Sequence, residues 1–574
     1  MFKKRFFIVA LILSACTNNE DTRHFEYPLK FETSNGTETS NYNEIIDFYS
    51  AAADFSSFIS LNEFGVTDSG EALHLLQIKP EEQVENPLKF LIINGIHPGE
   101  PDGIDASMLM IKSIIDNTIQ LPKEIELYIL PVYNIGGAKN RNNSSRANQN
   151  GPEEYGFRGN ALNYDLNRDF IKSDTQNSKA FYQIYHHVNP DVFVDTHVSN
   201  GADYQYTLTH LFTQSQQLGG DLGTYVHKDF IPKLEADLLT KSLPITPYVN
   251  VFNRTPQDGF SQFLDSPRYS TGYTSLWNSL GLMIETHMLK AYKQRVDATL
   301  EMLKSLIYSS AKESSKIKQL RAQNFEKHLK AKNYDFNFQV DTTQYKTFSF
   351  LGYNATQEKS KVTEGKRLKY NTDQPLTYPV KYYNYFSPTN TVEIPKAYII
   401  PKSYQKILEL FQFNQVKMTK FQKDTILNAE VYSISNYKTG NAPYEGHYLH
   451  YQTEVESTIE KVEVKQGDVL IETNQKAIRY IIETLEPEAV DSYFNWNFFD
   501  VILQRKEGFS PYVFEDIAEE ILLKNSDLRI EFDTLKGTNE EFANNAYAQL
   551  DWIYKHSKYY EKAHHRYPIY RIPK

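Results

Sequence analysis

The sequence predicts an α/β fold, and three observations carry the prediction. Residues 90–94 are an apolar run that can pack on both faces and stops at a turn built on Gly95 and Pro98-Gly99. Residues 103–118 then carry Ile104, Met108, Ile111, Ile114 and Ile115 at helical spacing, and 125–132 is again an apolar strand. Strand, helix, strand with short connections is the signature of an α/β sheet. Two later apolar runs, 192–194 and 281–287, repeat the pattern. At 574 residues and 40% hydrophobic content the chain is long enough for more than one core. A net charge of -11 supplies no basic field, so nucleic acid is not an expected partner. The 41 Tyr and 35 Phe are scattered and point to no single function.

Taken in order, the chain opens with Lys3, Lys4 and Arg5 ahead of the apolar run 6–13, the form of a secretory signal too short to span a bilayer. The run ends in Leu13-Ser14-Ala15-Cys16, which looks like a bacterial lipoprotein processing site. Cys16 is the only cysteine, so no internal disulfide is available and the thiol is expected to be consumed by lipidation. Each buried acyl CH2 adds about 0.8 kcal/mol of anchoring. This predicts a signal peptide over 1–15, a tether over 16–35, and a cell-envelope, outer-membrane lipoprotein facing periplasm or cell surface, with membrane contact through the lipid anchor only.

Residues 43–58 have helical spacing, and 64–78 reads as a hairpin turning at Asp68-Ser69-Gly70. The strand 90–94 follows, then the helix 103–118 and the strand 125–132. Residues 134–169, mostly Asn, Gly, Arg and Ser, read as a long loop, and loops of that length are usually functional or disordered. A helix is expected over 178–188 and a strand over 192–194 that ends in Asp195-Thr196-His197. Residues 205–253 are uninformative. A loop over 266–273, a short helix over 276–280 and a third strand over 281–287 come next, and 290–333 reads as one or two helices closing a domain. Beyond about 340 the texture turns to β-formers and turns, with helical stretches at 402–412 and 475–485. The expected units are 36–335 and a mixed α+β region over 340–574.

His97 and Glu100 leave the first strand together, and an imidazole and a carboxylate three residues apart can hold one divalent ion such as Zn2+. A His-Pro-Gly-Glu turn is also compatible with an ordinary solvated loop. His197 is the third ligand candidate, because ligands of open α/β sheets gather outside the carboxyl ends of the strands; a structural histidine is the competing reading, and His186, His187 and His210 are assigned to it. Glu285 in an otherwise apolar strand is costly to bury without a partner, either a metal-bound water or a salt bridge. Arg141, Arg146 and Arg158 offer planar forks suited to a carboxylate.

With these residues laid out, the chain resembles the zinc carboxypeptidases of the carboxypeptidase A family over roughly residues 40 to 320, as a bacterial lipoprotein member with a long C-terminal extension. His97-Pro-Gly-Glu100 is similar to the family's His-x-x-Glu, His197 to its second metal site, Asp165-Leu-Asn-Arg168 to its Asp-x-Asn-Arg run, and Glu285 in Met-Ile-Glu-Thr to its catalytic glutamate. The resemblance implies a three-layer α/β/α catalytic domain with a mixed, mostly parallel sheet, and one Zn2+ per chain held by His97, Glu100 and His197. It implies Glu285 as general base and Arg158 as oxyanion stabiliser, with Arg146 as the alternative. Asn167 and Arg168 would hold the substrate's free C-terminal carboxylate, and Asp165 would accept the second ring N–H of His97. Tyr269 would cap the substrate, with Tyr273 as the other choice. The chain departs from the family in reading Asn167-Arg168-Asp169 for Asn-Arg-Asn and in a compressed spacing from Tyr269 to Glu285.

The expected function is a zinc-dependent metallocarboxypeptidase acting on peptides or peptide-like substrates with a free C-terminal carboxylate. A zinc amidohydrolase acting on small acyl-amino acids or cell-wall peptides is the enzymatic alternative. A catalytically silent surface binding lipoprotein is the other, although pure binding needs no base facing a metal.

Overall fold

The computed structural model describes residues 24–574; the signal peptide, Cys16 and the first part of the tether lie outside the described residues. The rest of the tether is not loose. Phe25, Leu29 and Phe31 are buried in the main core, and the Phe31 ring meets Tyr292 edge-on at 5.8 Å. Three large apolar side chains in a polar stretch are enough to pin it, so the packed chain begins ahead of residue 36.

Strands β1 (Ile59–Phe64) and β2 (Leu73–Ile78) form the expected hairpin, with β1 starting earlier than the sequence suggests. They are followed by β3 (Leu88–Ile93), β4 (Ile125–Leu130), β5 (Val192–Ser199), β6 (Leu208–Phe212), β7 (Ile245–Pro247), the short β8 (Phe260–Ser261) and β9 (Leu280–His287). Among the described residues one eight-stranded sheet runs β1-β2-β4-β3-β5-β9-β6-β7. Its centre, β4-β3-β5-β9, is parallel, and β1, β2 and the β6–β9 pair add antiparallel edges.

Side-chain alternation along β5 sets the layers. Phe193 points to the helix Gln176–Val188, whose Phe181 and Tyr185 rings lie 6.3 and 6.5 Å away. Thr196 points the other way, onto the helix Asp102–Ile115 at Gly103, where an added Cβ would stand 2.0 Å from the Thr196 hydroxyl. Helices therefore cover both faces of the sheet, an α/β/α arrangement. The buried Arg295 in the helix Tyr292–Lys312 donates to Asp102 at 2.8 Å and clamps two helices of one face together.

The remaining differences from the sequence expectation are local. The 134–169 stretch contains a short helix, Ile135–Lys139, and a helical turn, Leu166–Arg168. The helix expected over 276–280 lies earlier, at Ser270–Ser275, because Asn278 takes a left-handed φ of 57° and hands the chain to β9. The closing helices are Tyr292–Lys312 and Ser314–Lys330, and β10 (Asn333–Val340) begins at once.

The C-terminal region contains β11 (Lys346–Lys359), β12 (Lys366–Tyr383), β13 (Phe386–Glu393), β14 (Ala397–Ile400), β15 (Thr419–Lys420), β16 (Thr425–Thr439), β17 (His450–Val464), β18 (Val469–Glu472) and β19 (Tyr570–Ile572). Six of these strands form a second sheet in the order β15-β18-β14-β19-β16-β17, and β10 pairs with β13. The β11–β12 hairpin pairs with β8, and its Phe350 and Tyr382 pack with Tyr206 and Phe260. The helices Pro511–Lys524, Ser526–Thr538 and Ala546–Lys555 share a separate small core. Among the described residues no helix is long and apolar enough to cross a membrane.

Candidate active site

The ends of β3, β5 and β9 lie side by side, since β5 is paired to both of the others. His97 and Glu100 stand on the turn after β3, where the Glu100 N–H donates to the His97 carbonyl at 2.8 Å. His197 is inside β5 rather than past its end, because the strand continues to Ser199, and it lies in register with Glu285 of β9. All four side chains are buried.

The ligand atoms of His97, Glu100 and His197 lie within 4.8 Å of one another. The two Nδ1 atoms are 3.2 Å apart, and Glu100 places one oxygen 3.3 Å from His97 Nδ1 and the other 3.1 Å from His197 Nδ1. The outer nitrogens are occupied. His97 Nε2 bonds Asp165 Oδ1 at 2.9 Å, and His197 Nε2 bonds Asp195 Oδ2 at 2.8 Å. With those N–H groups donating outward, two imidazole lone pairs face each other, an arrangement that a cation between them would satisfy. Bonds of about 2.0–2.1 Å to one tetrahedral ion would put the donor nitrogens roughly 3.3 Å apart, so the spacing fits zinc. Burial disfavours charge on His197, yet Asp195 and Glu100 outweigh it and hold its pKa well above the ordinary value. The centre is built for positive charge.

The carboxylates behind the ligands are themselves held. Asp165 takes a fork from Arg158 at 3.0 and 2.8 Å and a bond from the Asn167 N–H at 2.9 Å. Its own N–H donates at 2.9 Å to Glu445, 280 residues away in the C-terminal region. Ser270 Oγ donates to Asp195 at 2.6 Å while the Ser270 N–H donates to Asn167 Oδ1 at 3.1 Å, which ties the two sides of the pocket together.

A cavity of about 280 Å³ opens over this centre, lined by Arg146, Arg158, Asn167, Arg168, Tyr269 and Glu285 among others. Arg146 donates to Glu100 at 2.7 Å, and Arg158 lies 3.7 Å from the same oxygen, so both arginines share the mouth. Arg168 stacks on the Tyr269 ring at 4.5 Å. Tyr273 is fully buried and donates to Asn414 at 2.6 Å, so it stays out of the pocket, which Tyr269 and Tyr248 line. Burial above all pushes the Glu285 carboxyl up to about 8; His197 works against this, and the nearby carboxylates of Glu100, Asp195 and Asp265 add to it. His287 bonds Asp203 at 2.7 Å and stacks on Tyr204, His210 bonds Glu235, and His186 contacts Asn414; each has a structural partner.

The family description "Zinc carboxypeptidase" matches residues 46–206, which include the three ligand candidates and the Asp165–Arg168 turn. The chain is a metallopeptidase, and the family match takes in 46–206 of its 574 residues. The metallopeptidase is 22% identical over 489 residues to "Carboxypeptidase 2" of Trichophyton rubrum, covering 80% of this chain and 84% of the relative. It is 21% identical over 435 residues to the protein of the same name from Trichophyton equinum, covering 72% and 74%. Among solved structures it is similar to a metallo-carboxypeptidase from Burkholderia cenocepacia, at 15% identity and a TM-score of 0.36, over 47% of this chain and 69% of the other.

Three contributors to the metallopeptidase site escape sequence reasoning. Asp195 sits two residues before His197 on the same strand face, a spacing that was there to be read. Ser270 is marked only by its place after Tyr269. Glu445 carries no signal at all, because nothing local connects it to Asp165.

Proposed function

We propose that the chain is a zinc-dependent metallocarboxypeptidase that hydrolyses C-terminal peptide bonds. The observation that carries this reading is the ring of His97, Glu100 and His197, each imidazole backed by its own carboxylate, with Glu285 facing it from the neighbouring strand. When bound, zinc supplies Lewis-acid polarisation of a carbonyl and acidifies water. The chain's own groups do the rest. Glu285 removes the proton from the attacking water and returns it to the leaving amine nitrogen. Arg158, with Arg146 beside it, offers N–H donors to the oxygen that becomes negative in the tetrahedral intermediate. Asn167 and Arg168 receive the free carboxylate of the substrate, and Tyr269, stacked on Arg168, covers it.

Peptides with a free C-terminus are expected to lose their last residue, and amidated versions of the same peptides are expected to be inert. Equal cleavage of both would favour the amidohydrolase alternative. A Glu285→Gln protein is expected to keep about one zinc per chain while turnover falls by about 10²–10⁴-fold, the usual contribution of a positioned base. Loss of zinc together with activity would remove Glu285 from the base role.

The export and anchoring reading is part of the same proposal. Cys16 is taken as the lipidated residue of an envelope protein, and Cys16→Ala is expected to release the protein from membranes.

A further inference from the structure

A groove of about 1000 Å³ runs beside the active-site cavity and shares two of its walls, Phe263 and Tyr269. Its remaining walls come largely from the C-terminal region, from β10, β13 and the end of the β16–β17 hairpin. The active-site cavity, at about 280 Å³, is at the small end of pockets that enclose even a drug-sized ligand, about 300–1,000 Å³. It has room for the end of a peptide and not for its length.

The hairpin is irregular where it meets the groove. Its register breaks between Ile434 and Asn436 and again between Asn436 and Lys438. Opposite the break, Gln452 has a φ of 52°, a left-handed backbone that a non-glycine residue adopts at a cost and that tends to occur at binding sites. Such bulges bend a strand and re-aim its side chains; here Asn436, Lys438, Tyr451 and Gln452 all face the groove. Among the described residues β17 is the edge of its sheet and β10 pairs only with β13, so edge strands of two sheets border one groove that adjoins the active-site cavity at Phe263 and Tyr269. An edge strand offers main-chain donors and acceptors to an extended polypeptide. The side chains suit the same guest. Gln339, Asn436 and Gln452 carry amides, which donate and accept as a peptide bond does. Tyr451 adds an exposed ring. Lys438 is balanced by Glu454 and Glu488, so no strong field of either sign selects a charged ligand.

We infer that this groove binds the polypeptide upstream of the scissile bond in an extended conformation, which makes the C-terminal region the part of the enzyme that favours long peptides over short ones. The inference rests on the carboxypeptidase reading above. It is tested with a length series, from an N-acylated dipeptide to a hexapeptide with the same last two residues, on the full zinc-loaded chain. The expected result is a kcat/KM at least tenfold higher for the hexapeptide, carried in KM. Gln452→Gly keeps the left-handed backbone without steric cost while removing the amide. Combined with Asn436→Ala, it is expected to erase the length effect and leave the dipeptide rate unchanged. Asn436→Trp, which fills the groove, is expected to do the same. A flat length series, or a length effect that survives both changes, overturns the inference and leaves the carboxypeptidase reading intact. Hexapeptide binding to Glu285→Gln protein by calorimetry reads the groove without turnover. If no peptide is cleaved but the hexapeptide still binds at least tenfold tighter than the dipeptide, the groove stands and the function reading falls. A neutral oligosaccharide that blocks hexapeptide binding, with no length effect among peptides, would assign the groove to sugar and overturn the inference.

Discussion

At the scale of single residues, the two metal-facing imidazoles are oriented from behind. Asp165 and Asp195 fix which nitrogen of each ring looks inward, and each carboxylate is in turn gripped by other donors. Removing such a partner typically costs about 10–100-fold in metal affinity even though no ligand is lost. Asp195→Asn is therefore expected to weaken zinc binding by about that factor in a competition titration against a chelator, with the fold intact by circular dichroism. Unchanged affinity would reduce Asp195 to a packing role. Most of this site is legible in the sequence because its ligands sit at or near strand ends, and strand ends are what hydrophobic runs reveal. His97, Glu100 and Glu285 are read that way, and the structure brings them to one cavity. The choice between Tyr269 and Tyr273 is not, since both follow one loop and only burial separates them.

At the scale of elements, the central strands and most covering helices follow from periodicity, while their clamps do not. Arg295 and Asp102 are both buried, 193 residues apart, and nothing near either predicts the other. Breaking a buried ion pair by removing one partner strands the other charge and costs about 3–5 kcal/mol. Arg295→Ala is expected to lower unfolding stability by that amount in denaturant titrations, and Arg295→Ala with Asp102→Asn by less than the single change. The helix displaced from 276–280 to Ser270–Ser275 shows the same limit. Leu276, Trp277 and Leu280 look helical, but a left-handed Asn278 ends the segment, and no local rule requires it to be there.

At the scale of the whole molecule, the C-terminal region is bolted to the catalytic part by buried polar links. Arg268, next to Tyr269, donates to Asp491 at 2.7 Å, and Arg479 donates to the Gln217 carbonyl at 2.6 Å. Glu483, on the same helix as Arg479, accepts from Tyr334 at 2.9 Å. Burial pushes its carboxyl up to about 7, with Tyr334 and Arg479 opposing. Between the ordinary carboxylate range and that value the folded state binds more protons than the unfolded chain, so stability falls as pH rises. At about 1.4 kcal/mol per unit, the loss is about 3 kcal/mol from pH 4.5 to above 7. Urea midpoints at pH 5 and pH 8 are expected to differ in that direction, and Glu483→Gln is expected to shrink the difference by about that amount while the share of other raised carboxyls such as Glu285 remains. None of this was legible from the sequence, which places the region only as mixed α+β. Links spanning 149 to 262 residues leave no local trace.

The position of β19 couples a distant strand to the metal site. It lies between β14 and β16 and joins the two halves of the second sheet. Its Arg571 pairs with Glu430 of β16 and with Glu486, and the loop that joins β16 to β17 carries Glu445, which accepts the Asp165 N–H behind His97. Arg571→Ala is therefore expected to weaken zinc binding in a chelator competition although Arg571 is no ligand.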